Sequence, residues 1–462
     1  MYLLINENDN VKVNLENGHK YAVRDIKKGE NIIKYGYPIG HATEDILSGE
    51  HVHTHNVKTN LSGKLSYTYE KILPPKTSFG HKNRTFMGYR RENGKCGIRN
   101  DIWIINTVGC VNKVASRLSK LTGALCFEHP FGCSQLGDDM KVTQLVLKGL
   151  VEHPNAGGVL VLGLGCENNH IGEFKKVLGD VDSRRVKFLN TQDCEDEIEE
   201  GIKLIDELKA YANTFKREEI DISELTVGLK CGGSDGYSGI SANPLVGRFC
   251  DILSDLGGSA LLSEVPEMFG AETLLMQRCE NKEIFDKTVK LINDFKAYFT
   301  SHNQVVYENP SPGNKEGGIT TLEEKSLGCV QKGGMAEVVD VLNYGDTITK
   351  KGLNLLNGPG NDIVAITNLT AAGANLILFT TGRGTPVGAP VPTVKISTNK
   401  NLAEKKKGWI DFDASPVLEG TDMGDLAENL LDYVISVANG EETKNEQYGY
   451  REISIFKDGV TL

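Results

Sequence analysis

At 462 residues, with 39% hydrophobic and 24% charged side chains, the chain is long enough for two or three domains and has the composition of a packed protein, not a disordered one. A formal net charge of -11 argues against nucleic acid or an anionic membrane as partner, since both ask for a basic face. A small anion stays open, because a few local Arg and Lys residues suffice to hold a carboxylate.

The opening stretch, Met1-Tyr-Leu-Leu-Ile-Asn-Glu-Asn, has no basic segment followed by a long apolar run. The most apolar stretches, 157–164 and 375–381, are strand-length and too short to span a bilayer. A cytoplasmic protein is therefore expected, and there the ten cysteines should be thiols, so that a cluster of them signals a metal or catalysis.

Residues 1–72 read as a small all-β module: short alternating runs at 11–13, 21–23, 31–34 and 51–55 are punctuated by glycines. Within it, Gly49-Glu-His51-Val-His53-Thr-His55-Asn56 would place His51, His53 and His55 on one face of a strand, half a coordination shell for a divalent ion. The plainer alternative is a solvated strand face. A Pro-bearing linker at 73–84 follows.

From residue 85 the texture becomes strand–helix alternation. Strands are expected at 102–108, 157–164, 186–189, 225–229, 259–265, 375–381, 393–397 and 409–412, and helices at 141–152, 195–215, 282–299 and 423–438. This is the pattern of parallel α/β sheets, and a break near 217–223 divides it into lobes 85–222 and 223–462.

Cys110, Cys133, Cys166 and Cys329 each follow a glycine, and Cys231 precedes two. Cys110, Cys166 and Cys231 fall at the ends of expected strands, the edge where open parallel sheets bind ligands. A lone free cysteine is ordinarily a small buried hydrophobe. The set favours convergence on a shared site, although no Cys-x-x-Cys pair gives it a standard signature.

Gly163-Leu-Gly165-Cys-Glu-Asn168 has Asn where a dinucleotide fingerprint needs Gly or Ala, and no Walker lysine pattern occurs, which disfavours a nicotinamide enzyme. The loops bearing Asn309 and Asn314, and 357–362, suit either simple turns or close backbone contact with a polyhydroxylated anion. Arg90, Arg91, Arg99 and Arg383 are candidate forks for a carboxylate, each against the commoner role of a surface arginine.

Taken in order, these strings resemble the altronate/galactarate dehydratase family over nearly the whole chain. In the first module they are Gly18-His-Lys-Tyr-Ala22, Ile32-Ile-Lys-Tyr-Gly-Tyr-Pro-Ile-Gly40 and the histidine string; then come Gly88-Tyr-Arg-Arg91, Gly132-Cys-Ser-Gln135, Leu164-Gly-Cys166 and Lys230-Cys-Gly-Gly-Ser-Asp-Gly-Tyr-Ser-Gly-Ile-Ser-Ala-Asn-Pro244. Glu264-Val-Pro-Glu-Met-Phe-Gly-Ala-Glu272, Asn309-Pro-Ser-Pro-Gly-Asn314 and Leu378-Phe-Thr-Thr-Gly-Arg-Gly-Thr-Pro386 complete them. The resemblance implies an N-terminal β-clip (SAF-type) domain followed by a two-lobed parallel α/β catalytic region. It further implies a hydro-lyase acting on a sugar acid, with the altronate branch favoured, a galactarate or other aldarate dehydratase or a sulfolactate sulfo-lyase as enzyme alternatives, and a sugar-acid sensor as the non-catalytic one. One departure is Ser134, where relatives often carry Gly.

The implied cofactor is a divalent metal, iron(II) favoured and manganese(II) the alternative. His53 and His55 are its expected first ligands, with His51 a third and Cys133, Cys166 and Cys231 as thiolate ligands or neighbours. Elimination of water needs a base for the C2 proton and an acid for the leaving hydroxyl; His129, partnered by Asp235 or Glu264, is expected to serve. Arg90, Arg99, Asn309, Asn314 and Arg383 are the expected substrate contacts, and a homo-oligomer is an open expectation.

Overall fold

The computed structural model describes residues 1–72 and 84–462; the expected linker lies almost wholly outside the described residues. The N-terminal module is built from two small antiparallel sheets. One runs Tyr2–Leu3, Val11–Asn14, Lys20–Ala22, His51–Val52, and the other Asn31–Lys34, Tyr37–Ala42, Val57–Lys58. Alternation works as the sequence implies: Val11 and Val13 point inward while Lys12 and Asn14 are half-buried. The inward set, including Ile26, Ile32, Ile39, Ile46 and Val52, merges with the core of the C-terminal lobe, so the module has no separate interior of its own.

Lobe one carries four parallel strands in the order Leu125–Phe127, Asp101–Asn106, Ala156–Gly163, Val186–Asn190. All eight residues of Ala156–Gly163 are buried, which is why that segment reads as an unbroken apolar run. Lobe two carries seven: Val338–Leu342, Gly352–Leu356, Ser259–Leu262, Thr226–Cys231, Leu376–Thr381, Thr393–Ser397, Phe412–Asp413, again all parallel. The helices Ala242–Asp255 and Asp362–Ala371 bury their apolar stripes on this sheet, and Met423–Ala438 packs on Ala242–Asp255 and on the strand Thr85–Arg90. A core shared by both lobes joins Val146 and Leu147 of Asp138–Val151 to Ile366 and Leu369. No helix among the described residues is long and apolar enough to cross a membrane.

The histidine run differs from its expected form. Strand pairing stops at Val52, and 53–56 form a turn. Asn56 makes that turn: its Oδ1 accepts from the His53 N–H (2.9 Å) and its Nδ2 donates to His51 O (2.9 Å). Side-chain amide bonds here win over continued strand pairing.

Candidate active site

The module meets lobe two along the loop holding Gly18 and His19. Cβ atoms on Gly236 or Gly318 would collide with Gly18 O, so only glycine lets the two backbones approach. The same seam is held by a buried charge cluster: Lys20 and Lys34 reach the two oxygens of Glu324 at 2.9 and 2.7 Å, all three side chains sealed from solvent. Burial pushes Lys20 down to about 8. Burial would raise Glu324, but Lys20 and Lys34 hold it well below the carboxylate range.

At this seam three imidazoles converge. His19 Nδ1 and His51 Nε2 are 3.0 Å apart, the His51 and His53 rings stack at 5.3 Å, and one nitrogen from each of His19, His51 and His53 lies within 4.8 Å of the others. His53 Nδ1 is buried without a hydrogen-bond partner. Burial lowers the pKa of all three rings, His53 to about 4 with help from Lys20, so they are neutral at pH 7 with lone pairs to offer. These three residues could hold a divalent ion. His55 is exposed, its ring 5.6 Å from that of His51, at the rim of the group. Nothing in the sequence marks His19 as a ligand: 32 residues separate it from His51, and the pairing of Lys20 with Val52 and Tyr21 with His51 brings them together.

Beside His19, whose Nε2 lies 3.2 Å from Glu316 O, a cleft of about 990 Å³ opens. It is lined by Asn17 on the histidine loop and by Glu316, Asp235, Tyr237, Arg383 and Asn399 of lobe two. Asp235, Arg383 and Asn399 all lie just beyond the carboxyl ends of adjacent strands of the large sheet, the edge where such sheets bind ligands. Asp235 is oriented by Thr398 Oγ1 (2.9 Å), Asn399 Nδ2 (3.0 Å) and Ser238 Oγ (3.0 Å), and burial pushes its carboxyl above the ordinary range in spite of those donors. The half-exposed Arg383 donates to Glu316, a 70% exposed side chain free to swing aside for another carboxylate (2.8 Å).

Beneath the seam lies a second buried layer. Glu264 pairs with Lys230 and, at 3.4 Å, with Lys332; Glu267 pairs with Lys325 at 2.8 Å; Lys332 Nζ lies 2.9 Å from Cys231 Sγ, itself 3.3 Å from Cys329 Sγ. Burial would raise Glu267, but Lys325, Lys230 and Lys332 hold it well below the carboxylate range. Cys231, Glu267 and Cys329 have the spacing of a metal site, yet three ammonium groups crowd it, so electrostatics favour the histidines as the seat of a cation.

The remaining expected residues are dispersed. Arg90 pairs on the surface with Glu218, and Arg99 is buried against Glu446 and the carbonyls of Val437 and Glu441. Asn309 and Asn314 both receive Lys325, and Asn314 also donates to Ser234 O, two residues of chain below Gly236. His129 lies in lobe one with both ring nitrogens taken up by backbone, at Asn106 O (2.8 Å) and the Phe131 N–H (3.2 Å). It therefore has no free nitrogen to offer a substrate in this conformation. Cys133 and Cys166 are exposed on lobe one, apart from Cys231.

An open α/β sheet with acid, arginine and amide groups at its carboxyl edge, faced by a histidine-bearing β module, has the layout of an enzyme that binds a small polar molecule. Residues 3–60 match the altronate/galactarate dehydratase SAF domain, 88–213 the second domain of D-galactarate dehydratase/altronate hydrolase, and 222–461 the D-galactarate/altronate dehydratase C-terminal domain. The chain is 53% identical to altronate dehydratase of Bacillus subtilis (strain 168) over 98% of its length and 93% of that protein's. It is 52% identical to altronate dehydratase of Escherichia coli (strain K12), over 99% and 94%, and 30% identical to that organism's galactarate dehydratase (L-threo-forming), over 95% and 89%. The chain belongs to the altronate/galactarate dehydratase family.

Proposed function

We propose that the chain is a hydro-lyase that converts D-altronate to 2-dehydro-3-deoxy-D-gluconate in the cleft at the seam. Identity above one half to two altronate dehydratases, against 30% to a galactarate dehydratase, supports altronate over an aldarate. The observation that carries the site is the convergence of His19, His51 and His53 beside a cleft bearing Asp235 and Arg383.

Neutral imidazoles with an orphaned His53 Nδ1 fit a divalent ion, iron(II) favoured and manganese(II) the alternative. When bound, the ion supplies positive charge for the enediolate and for the departing C3 hydroxyl. Arg383 releases Glu316 and takes the substrate carboxylate in its fork. Asp235, raised by burial and held by Thr398, Asn399 and Ser238, accepts the C2 proton. The C3 hydroxyl takes back the proton that Asp235 removed from C2 and leaves as water, and the enol that remains tautomerises to the 2-keto acid. Ten unpaired thiols suit a cytoplasmic setting.

The test is an anaerobic panel of aldonates and aldarates with iron(II), read by 2-keto acid formation. Altronate should be turned over best. A preference for galactarate would move the assignment to the aldarate branch, and no turnover of any sugar acid would favour a sensor.

A further inference from the structure

The carboxyl edge of lobe one carries groups that the dehydration site leaves unused. Cys110 lies beyond Asp101–Asn106, Cys133 beyond Leu125–Phe127, and Cys166 beyond Ala156–Gly163, three strands that are neighbours in one parallel sheet. Free cysteine is among the most buried residue types. Of the ten in this chain, these three are the exposed ones; the other seven are buried or half-buried. Three strand-end loops thus each present one thiol to solvent, a placement that core packing does not explain.

The loops are tied to one another. The Gly109 N–H donates to Phe131 O (2.9 Å), the Asn169 N–H to Gly132 O (2.9 Å), and the Ser134 N–H to Asn168 Oδ1 (2.8 Å). A Cβ on Gly132 would strike Thr107 O, and one on Gly109 would lie 2.7 Å from His129 O, so the glycine before two of the cysteines is required for this approach. Buried side chains fix the frame: His129 clamps Asn106 O and the Phe131 N–H, while Glu167 holds Thr107 Oγ1 (2.6 Å) and the N–H groups of Leu164 and Gly165. Gln192 Nε2 donates to Cys166 Sγ (3.5 Å). The same strand ends hold buried polar atoms without a partner, Asn106 Oδ1, Gln135 Nε2 and Asn190 Oδ1. Cys194, on the next loop, turns its thiol back onto Asn190 O and is not a fourth member.

We infer that Cys110, Cys133 and Cys166 form a three-thiolate seat for a four-iron, four-sulfide cluster, with one iron left free of protein thiolate. A single tetrahedral ion with metal–sulfur bonds near 2.3 Å would draw its sulfurs to within about 4 Å of one another. Among the described residues the trios with ligand atoms within 4.8 Å are the histidines and the Cys231 group, and these thiols are not one of them. Thiols beyond that reach, on three loops tied together by hydrogen bonds, leave room for a cluster, whose ordinary protein ligand is the cysteine thiolate. The site belongs to lobe one, whereas the histidines belong to the N-terminal module, so the two stand or fall separately.

The test uses the full chain isolated without oxygen and incubated with iron(II) and iron(III) in equal amounts, sulfide and thiol. About four acid-labile sulfide per chain are expected, with about four iron in the cluster and about one more at the histidines, and with broad visible absorbance and a paramagnetic signal on reduction. Cys110→Ser, Cys133→Ser and Cys166→Ser should each lose most of the sulfide, while Cys194→Ser and the double variant His51→Ala/His53→Ala should keep it. These thiols are exposed, so unchanged circular dichroism is expected and separates ligand loss from unfolding. Wild-type protein without sulfide, a single iron without sulfide, or a triple cysteine variant that retains the cluster would overturn the assignment.

Discussion

Lys20 of the N-terminal module and Glu324 of lobe two form an ion pair at 2.9 Å with both side chains fully buried, and Lys34 completes it from the other side. Removing the carboxylate leaves two buried ammonium groups with no counter-charge. Glu324→Ala should therefore cost about 3–5 kcal/mol and loosen the docking of the module. Urea unfolding and proteolysis near residue 72 check this. The triple replacement Lys20→Met, Lys34→Met, Glu324→Leu should be markedly less damaging, because it leaves no charge stranded.

The same pair sets an acid limit. Burial alone would raise Glu324, but Lys20 and Lys34 outweigh it and hold the folded pKa below the ordinary 4.5. A depressed carboxylate contributes stability that is present above its unfolded pKa and is lost as pH falls from there towards the folded value. The thermal midpoint of the wild type should accordingly fall as pH drops below 4.5, and the slope should be shallower in Glu324→Gln.

Arg383 offers a fork that an exposed glutamate guards. Arg383→Ala should raise KM for the sugar acid about ten- to hundredfold, the worth of a charge-assisted hydrogen bond at roughly 1.5–3 kcal/mol, with a smaller change in kcat. Steady-state kinetics decide it, and an unchanged KM would remove Arg383 from the carboxylate subsite.

Asp235→Asn keeps size and most hydrogen bonds but cannot accept the C2 proton. Turnover should fall about 10²- to 10⁴-fold with little change in thermal midpoint. Burial places the Asp235 pKa above the ordinary carboxylate range, and the base must be ionised, so the acid limb of kcat/KM in the wild type should lie at higher pH than an unperturbed aspartate would put it, and activity should fall as pH drops through it.

Much of the fold was legible where one periodicity ruled a segment. Thr393–Ser397 and Met423–Ala438 match their expected bounds because a buried strand and an amphipathic helix leave unmistakable patterns. Val338–Leu342 and Gly352–Leu356 were missed: the first alternates around Asp340 at the sheet's edge, and the second carries a buried Asn354 bonded to its own backbone. The site was legible in part. Asp235, Arg383 and the histidine string stand at strand ends or in marked motifs. Contacts made across the fold were not, since nothing local announces that His19 will face His51, that Lys332 will touch Cys231, or that Arg99 will be spent on Glu446.

On the proposed reading, a sugar acid is dehydrated where the histidines of the N-terminal module meet lobe two. The most direct measurement is iron(II)-dependent turnover of D-altronate by metal-stripped wild type beside His51→Ala/His53→Ala, with unfolding curves for both. The account predicts that iron(II) restores 2-keto acid formation in the wild type and leaves the folded double variant inactive. Full iron(II)-dependent turnover by the double variant would contradict it.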